Sequence, residues 1–238
     1  MGRAATLLAG TLAVSCFGAM SARAQLKPEM QTGSMIPSKP KPVDAKGTGV
    51  VRKGFARCVY RGSTAKVTTL LEHSDAVTVD TVGAGIKNIG DDLGLDKCLG
   101  NQARMDVTAL EYRLQPAFLR DLLAEEAYLA RNRTAPAVPS ESATPLAVSF
   151  VSKGDQLALA QSMTTFADCA VRKDVVHADA LLRTMPASDN ELVAARAMGP
   201  ALGACLTQGQ NVKMSPKSIR AFVAFAMWNR FGRGAPAK

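Results

Sequence analysis

The chain has 238 residues and a formal net charge of +9 at pH 7, with scattered lysines and arginines and only 5% aromatic residues. Scattered charge without interleaved aromatic side chains argues against nucleic-acid binding, and leaves weak attraction to an anionic cell-surface component as a use for the charge. After the first 24 residues no stretch is apolar for long enough to cross a bilayer, so we expect no transmembrane span. Abundant alanine and leucine favour helices.

The first 24 residues have the form of a secretory signal peptide. Arg3 makes the start positive, an uncharged apolar run follows, and Ala22 and Ala24 form a small-x-small cleavage site before Gln25. A membrane anchor is the weaker interpretation, because the run is short for a bilayer span and ends in a cleavage site.

A lipoprotein signal is the alternative to ordinary cleavage. Residues 12–16 read LAVSC, an acceptable lipobox in which Cys16 would carry a lipid anchor and become the mature N-terminus. Both routes predict export, either as a periplasmic or secreted protein or as a lipoprotein tethered to the envelope.

Composition divides the rest of the chain into five segments. Stretches rich in proline, lysine and small polar residues have few apolar side chains to bury, which predicts disorder or a linker. The predicted segments are a disordered tether over 25–48, a helical module over 49–130, a proline-rich linker over 131–149, a second helical module over 150–233 and a tail over 234–238.

The two modules share a sequence motif. The matching residues are 55–61 (FARCVYR) with 166–172 (FADCAVR), Leu70-Leu71 with Leu181-Leu182, Cys98 with Cys205, and Pro116 with Pro216. We therefore predict a mainly helical fold, built by tandem duplication of a roughly three-helix module with one disulfide inside each copy.

Four cysteines remain once processing has removed Cys16 from the thiol pool, and four cysteines allow three pairings. The duplication selects Cys58–Cys98 and Cys169–Cys205, because each copy must close its own bridge. Loop closure of this length contributes roughly 4 kcal/mol per bridge. A zinc site or a redox-active pair needs closely spaced cysteines, and these are single, so we expect neither.

Three helices are predicted in each module. The first runs over 50–73 in one module and over 155–184 in the other. The second covers 190–198 and continues to Cys205, whereas glycines interrupt its counterpart in the first module.

The third helix has a clear start in both modules. Ser215 is an N-cap followed by Pro216 at the first helical position, and Gln115-Pro116 repeats the arrangement with a weaker cap. Residues 103–113 have no counterpart in the second module, and Ala147–Val151 is a candidate short strand.

The two third helices differ in their polar faces. The leucines of the first-module helix form one apolar face, and three acids are expected to lie away from it: Asp121, Glu125 and Glu126. In the second module, residues 221–228 read AFVAFAMW and are apolar all round, which predicts burial on more than one side. We expect this helix to pack against the first module, or against a partner, through Ala221, Phe222, Phe225 and Trp228.

Fragments of a serine-enzyme pattern occur without their context. Residues 63–66 fit S-x-x-K and residues 188–190 read S-D-N, two marks of penicillin-binding proteins. No K-T-G follows residue 190, and Ser63 falls within or just after a predicted helix rather than at a helix start. We therefore lean against an enzyme.

Other ligand-binding patterns are equally incomplete. The two histidines, His73 and His177, lie near no serine or cysteine in a triad-like pattern. The acids Asp91, Asp92 and Asp96 do not follow the order of a calcium loop. We therefore predict no catalytic, cofactor or metal site.

The motif resembles a group of small exported proteins of Gram-negative bacteria that have a duplicated two-cysteine helical module. The order is F-A-x-C-V-x-R, with Ala170 in place of the valine in the second copy, then Leu-Leu, then L-x-x-C-L at 95–99 and 202–206, then a helix opened by proline. The resemblance covers both modules and leaves out the tether and linker, and the first copy departs from it in its glycine-rich middle. The resemblance implies a structural motif and therefore no site residue.

Two functional hypotheses follow from these patterns. The favoured one is a non-enzymatic exported scaffold that binds another envelope protein or an anionic cell-surface component. The alternative is a cell-envelope enzyme, or an inhibitor of one, with a polar site between the modules. The candidate binding residues are four arginines that recur at matched positions in both copies: Arg61, Arg172, Arg120 and Arg220.

Overall fold

Regular structure in the computed structural model is helical. The structure describes residues 44–103, 115–139, 146, 148–206 and 213–233, and among these the only β pairing is an isolated bridge between Ser74 and Val79. The prediction of a mainly helical fold is confirmed. The helices are α1 (Ala45–Gly62), α2 (Thr64–Glu72), α3 (Ile89–Leu93), α4 (Leu95–Ala103), α5 (Pro116–Arg131), α6 (Asp155–Lys173), α7 (Val175–Arg183), α8 (Asp189–Ala197), α9 (Gly199–Gly203), α10 (Pro216–Met227) and a π-helix (Trp228–Gly232).

Several predictions concern residues outside the described ranges. These are the signal peptide with its cleavage site, the lipobox cysteine Cys16, the tether up to residue 43, residues 104–113 and the tail over 234–238. They stay predictions.

Side-chain caps determine where several helices begin. Asp44 Oδ1 accepts a hydrogen bond from the Gly47 N–H at 2.6 Å, so α1 begins inside the predicted tether, and the tether prediction is wrong for residues 45–48. Ser215 Oγ accepts from the Ser218 N–H at 3.1 Å, and α10 begins at Pro216 as predicted.

Each first helix of the prediction is divided into two. The prediction of one helix over 155–184 is wrong because the Asp174 carboxylate accepts from the His177 N–H at 3.0 Å and starts α7 as a new helix. The helix predicted over 50–73 is likewise broken at Ser63, whose hydroxyl donates to the Leu93 carbonyl at 3.3 Å.

The candidate strand is also wrong for its described residues, 148–151, which have no strand structure. The N–H groups of Val151 and Ser152 donate instead to Asp75 Oδ2, at 3.0 and 2.7 Å. A side-chain carboxylate therefore satisfies the backbone donors that a neighbouring strand would otherwise pair.

One hydrophobic core runs through both halves of the chain. Phe55, Leu123 and Tyr128 from the first half belong to the same buried cluster as Leu182 and Trp228 from the second. The two predicted modules therefore share a core, and α5 packs directly against α10.

Both predicted disulfides are confirmed. Cys58 of α1 pairs with Cys98 of α4, and Cys169 of α6 pairs with Cys205, which lies in the turn after α9. The pairing places one bridge in each half, while the tandem duplication itself stays a prediction. In the part of the chain that the structure describes, no helix combines the length and apolar character needed to cross a bilayer.

We predict that each disulfide contributes about 4 kcal/mol to the free energy of unfolding, because the bridges close loops with sequence separations of 40 and 36 residues. The double variants C58A/C98A and C169A/C205A should each lower the urea midpoint accordingly. In the mature protein that starts at Gln25, intact-mass measurement should show four thiol labels, and only after reduction. Labelling before reduction would contradict the pairing.

Candidate functional site

A buried carboxylate lies where the two halves meet. Glu125 of α5 is 4% exposed, and its carboxylate pairs with Lys53 of α1 and Arg220 of α10. The Arg220 contact is bidentate, with Nε donating to Oε2 at 2.7 Å and Nη2 to Oε1 at 2.8 Å. Burial alone would raise the pKa of Glu125, but the hydrogen bonds and charges of Arg220 and Lys53 outweigh burial and hold this pKa below its usual value.

Two of the three acids that we expect to lie away from the leucine face of α5 are nevertheless buried. Glu126 is 5% exposed, accepts from Arg57 Nε at 3.1 Å and lies 3.6 Å from Lys53 Nζ. Cations of α1 and α10 contact the acidic side of α5, which lies outside its leucine face. The acidic side of α5 is consequently buried as well.

The cations that meet Glu125 also close the C-terminal end of α7. Arg220 Nη2 donates to the carbonyls of Leu182 and Thr184 at 3.0 and 2.9 Å, and Lys53 Nζ donates to Leu182 at 3.1 Å. Glu191 of α8 accepts from Arg220 Nη1 at 3.1 Å. Positive charge at a helix C-terminus is favourable, so one network fixes five helices. We call Lys53, Glu125, Glu126, Glu191 and Arg220 the buried ion network.

Arg120 forms a second buried arrangement. Its Nε and Nη2 donate to Asp121 Oδ1 at 2.9 and 2.6 Å, and its Nη1 donates to the Asp75 carbonyl. The guanidinium lies 4.7 Å from the centroid of the Phe225 ring of α10. Asp75 also accepts the Ser152 hydroxyl at 2.9 Å, so this arginine ties α5 to the loop that holds the start of the second half.

The four candidate arginines do not share a site. Arg220 lies in the buried ion network, and Arg120 contacts Asp121, Asp75 and Phe225. Arg172 Nε donates to Asp168 at 3.1 Å, and Arg61 is exposed at the end of α1. Arg120 and Arg220 are 5% and 6% exposed, and every contact described above serves the fold. The four arginines therefore do not meet at one polar site: Arg220 and Arg120 lie in two separate buried networks. A binding role for these arginines stays a prediction.

A cleft lies between α5, α6 and α10. Its volume is about 380 Å³, and its walls are mainly apolar. The residues that line it are Ala76, Phe118, Arg120, Asp121, Leu146, Met163, Thr164, Ala167, Asp168, Lys217, Ser218, Ala221, Phe222, Phe225, Ala226 and Asn229. We call it the α5–α6–α10 cleft.

The structure places three of the four predicted interface residues on this cleft. Ala221, Phe222 and Phe225 line it, and Phe222 packs edge-on against Phe166 of α6 with ring centroids 6.1 Å apart. Trp228 is fully buried, with the Arg131 guanidinium of α5 4.7 Å from its ring centroid. The all-round apolar helix thus packs on α5 and α6 and leaves the cleft between them.

Polar groups of two kinds line the cleft. Asp168 is fully engaged, since Arg230 donates to its two oxygens at 2.6 and 2.9 Å and Arg172 also donates to it. Asn229 Oδ1 and Thr164 Oγ1, by contrast, are buried and have no hydrogen-bond partner among the described residues. Asn229 is only 4% exposed, so its carbonyl oxygen pays a desolvation penalty without compensation.

Asp121 lies on the cleft beside Arg120. Burial raises the pKa of Asp121 to about 6, although the charge and hydrogen bonds of Arg120 act in the opposite direction. A carboxyl group on a cleft whose charge changes near neutral pH is a candidate functional group.

The residues of the incomplete catalytic patterns serve other contacts. Lys66 Nζ pairs with Asp92 at 2.6 Å instead of with Ser63, and Ser188 caps α8 by accepting the Glu191 N–H at 3.2 Å. The His177 ring pairs with Asp174 at 2.7 Å. In the described ranges no group of three or more His, Cys, Asp or Glu residues is arranged to hold a metal ion.

No family model matches the chain, and no curated protein or solved structure is significantly similar to it. The site is therefore defined by two features of the structure: a buried ion network whose charges are paired, and an apolar cleft with uncompensated polar atoms in its wall.

We predict that Arg220→Met lowers the free energy of unfolding by about 3–5 kcal/mol, because Glu125 and the end of α7 lose their main partner. Urea unfolding monitored by Trp228 fluorescence measures the change. Because the two side chains act together, R220M/E125M should lose less than the sum of R220M and E125M. Arg61→Met is the exposed control and should stay within about 0.5 kcal/mol of the parent. Additive losses would contradict a coupled network.

We predict that Asp121→Asn removes a pH dependence of stability. Since the folded-state pKa of about 6 lies above the ordinary 3.8, the parent gains stability as pH falls from 7.5 to 4. The Asn variant lacks this titration, so it should exceed the parent by up to about 3 kcal/mol at pH 7.5 and match it near pH 4. Unfolding at both pH values measures the difference, with exposed Asp96→Asn as the control. A pH-independent difference would overturn the assignment.

Proposed function

We propose that the chain is an exported, non-enzymatic binding protein that holds an apolar group of another envelope component in the α5–α6–α10 cleft. The cleft is the observation that carries the proposal. Its volume of about 380 Å³ falls within the range of small-molecule sites, about 300–1,000 Å³. Mainly apolar walls with a few polar groups are also the usual make-up of a binding pocket.

Export is supported by the amino-terminal sequence and by the cysteines. The signal-peptide pattern before Gln25, or the lipobox at Cys16, would deliver the chain to the periplasm, the medium or the envelope surface. Two disulfides persist in such oxidising surroundings. Cleavage before Gln25 would remove Arg3 and Arg23 and lower the net charge from +9 to +7. The remaining positive charge would attract the protein to an anionic cell surface, which brings the cleft close to envelope components.

The pairing of the buried arginines with groups of the fold supports the proposed scaffold role. In the described ranges, the candidate arginines Arg120 and Arg220 are engaged by acids and carbonyls of the fold, which leaves them a structural role. These contacts and the two disulfides fix the helices that form the cleft. The cleft is therefore preorganised, and little ordering is needed when a ligand enters.

An envelope enzyme or enzyme inhibitor is the second candidate, and Asp121 is the observation that favours it. Its carboxyl group has a pKa near 6 and lies on the cleft. However, Asp121 contacts Arg120, and the nearby Ser218 hydroxyl is paired with Ser215 at 2.8 Å. Acid and hydroxyl therefore do not form a nucleophile–base pair, and binding remains the better-supported function.

We predict that the neutral fluorophore N-phenyl-1-naphthylamine binds in the cleft with increased emission, because the walls are apolar. Ala221→Trp should abolish the signal, since Ala221 lines the cleft and a tryptophan there fills it. A fluorescence titration of the folded, disulfide-bonded protein measures both effects.

Ala197→Trp is the matched control, because Ala197 is similarly half-buried but lies on α8 away from the cleft residues. It should bind the fluorophore like the parent. Equal binding by parent and Ala221→Trp would place the fluorophore elsewhere and contradict the proposal, as would a parent that binds none.

A further inference from the structure

We infer that the ligand of the α5–α6–α10 cleft is a neutral amphiphile: an apolar chain or ring with one hydroxyl or amide N–H group that donates to Asn229 Oδ1. The inference rests on the proposed function, since it specifies what the cleft binds. It is carried by the juxtaposition of an apolar wall, paired charges and one buried, unpartnered carbonyl oxygen.

The charges that line the cleft disfavour an ionic ligand. Arg120 and Lys217 are balanced in sign by Asp121 and Asp168. Arg120 pairs with Asp121, and Asp168 accepts from Arg230 at 2.6 and 2.9 Å. Lys217 is exposed at the mouth, with its Nζ 4.8 Å from the centroid of the Phe118 ring. An anion would meet the two aspartates, and a cation would meet the arginine and lysine, so a neutral ligand fits best.

The polar atoms left over are hydrogen-bonding groups rather than charges. Asn229 Oδ1 is an acceptor, and Thr164 Oγ1 is a hydroxyl that can accept or donate. Both residues line the cleft, and both atoms are buried. The χ2 torsion of asparagine has broad minima, which lets the amide turn its oxygen toward an arriving donor. A ligand donor would supply the hydrogen bond that no described residue makes to Asn229 Oδ1.

Asn229 lies at one end of the cleft, and this orients the ligand. The cleft-lining residues of α10 and the π-helix recur every four residues, as the neighbouring pairs Lys217-Ser218, Ala221-Phe222 and Phe225-Ala226, followed by Asn229. They therefore form one stripe, along which the distance from residue 217 to residue 229 is about 18 Å. The polar head of the ligand would lie at Asn229, and its apolar body would lie along the phenylalanines toward Lys217.

The π-helix that carries Asn229 is fixed by α5. Arg131 Nη1 donates to the Gly232 carbonyl, Asn132 Nδ2 donates to the Phe231 carbonyl at 3.4 Å, and the Trp228 ring stacks with Arg131. Short π-helical turns occur often at functional sites, where they place a side chain that a regular helix would direct elsewhere. Asn229 is thus held in a defined position for recognition.

Displacement of N-phenyl-1-naphthylamine by ligands of matched chain length tests the inference. The series is 1-decanol and decanamide as neutral donors, methyl decyl ether as a neutral acceptor, decanoate as an anion and decylammonium as a cation. We expect the two donors to displace the fluorophore at about tenfold lower concentration than the other three, which corresponds to one good hydrogen bond.

Two variants locate the recognition. Asn229→Leu keeps the side-chain size but removes the acceptor, so it should lose the roughly tenfold preference for 1-decanol over the ether while still binding the ether. Asn229→Ala removes the same acceptor and serves the same purpose if Asn229→Leu fails to fold. Asn101→Leu, an exposed asparagine on α4, is the control and should keep the preference.

The outcomes separate this inference from the proposed function. Fluorophore binding with donors preferred, and loss of that preference in Asn229→Leu or Asn229→Ala, supports both. Fluorophore binding with the ether, decanoate or decylammonium equal to or better than the donors overturns the ligand class and leaves the binding function standing. A preference unchanged in both variants also overturns it. A parent that binds no fluorophore overturns both.

Discussion

The burial of Glu125 is the constraint on which the arrangement of helices depends. A carboxylate in a protein interior is stable only where cations and donors surround it, and here Lys53 and Arg220 come from helices far apart in the sequence. The same two cations also donate hydrogen bonds to the Leu182 carbonyl at the C-terminal end of α7. One charge therefore fixes the relative positions of α1, α5, α7 and α10, and an apolar side chain at residue 125 would specify none of them.

The face between α5 and α10 shows how the two halves differ at matched positions. Arg220 of α10 meets Glu125 of α5, and Arg120 of α5 meets Phe225 of α10. The predicted duplication pairs these residues, arginine with arginine and Glu125 with Phe225. One contact is thus an ion pair and the other an arginine against an aromatic ring. The second arrangement places its acid, Asp121, on α5 beside Arg120 and a phenylalanine on α10, which leaves α10 apolar enough to form the wall of the cleft.

Sequence patterns predicted those features that depend on local chemistry or on a unique pairing. The disulfides followed from the repeated motif, and the start of α10 followed from Ser215-Pro216. Sequence patterns could not predict the burial of Glu125 and Glu126. Helical periodicity describes the faces of a single helix, whereas the partner of Glu125, Lys53, lies 72 residues away in the sequence. The helix break at Asp174 was missed since a continuous apolar pattern conceals a local N-cap. Asn229 carried no signal at all, as an asparagine near a chain end is ordinary in composition.

The cleft and the network have a common physical origin. Helices that carry only apolar faces close on one another until no space is left, because interiors pack to the density of organic crystals. Here the partners of Arg120 and Arg220 set the distance of α10 from α5, and the Phe166–Phe222 contact sets its distance from α6. If α5, α6 and α10 packed together over Asn229, these contacts would have to break. These contacts therefore hold the cleft beside Phe225 open, which supports the proposed binding of a ligand without prior rearrangement.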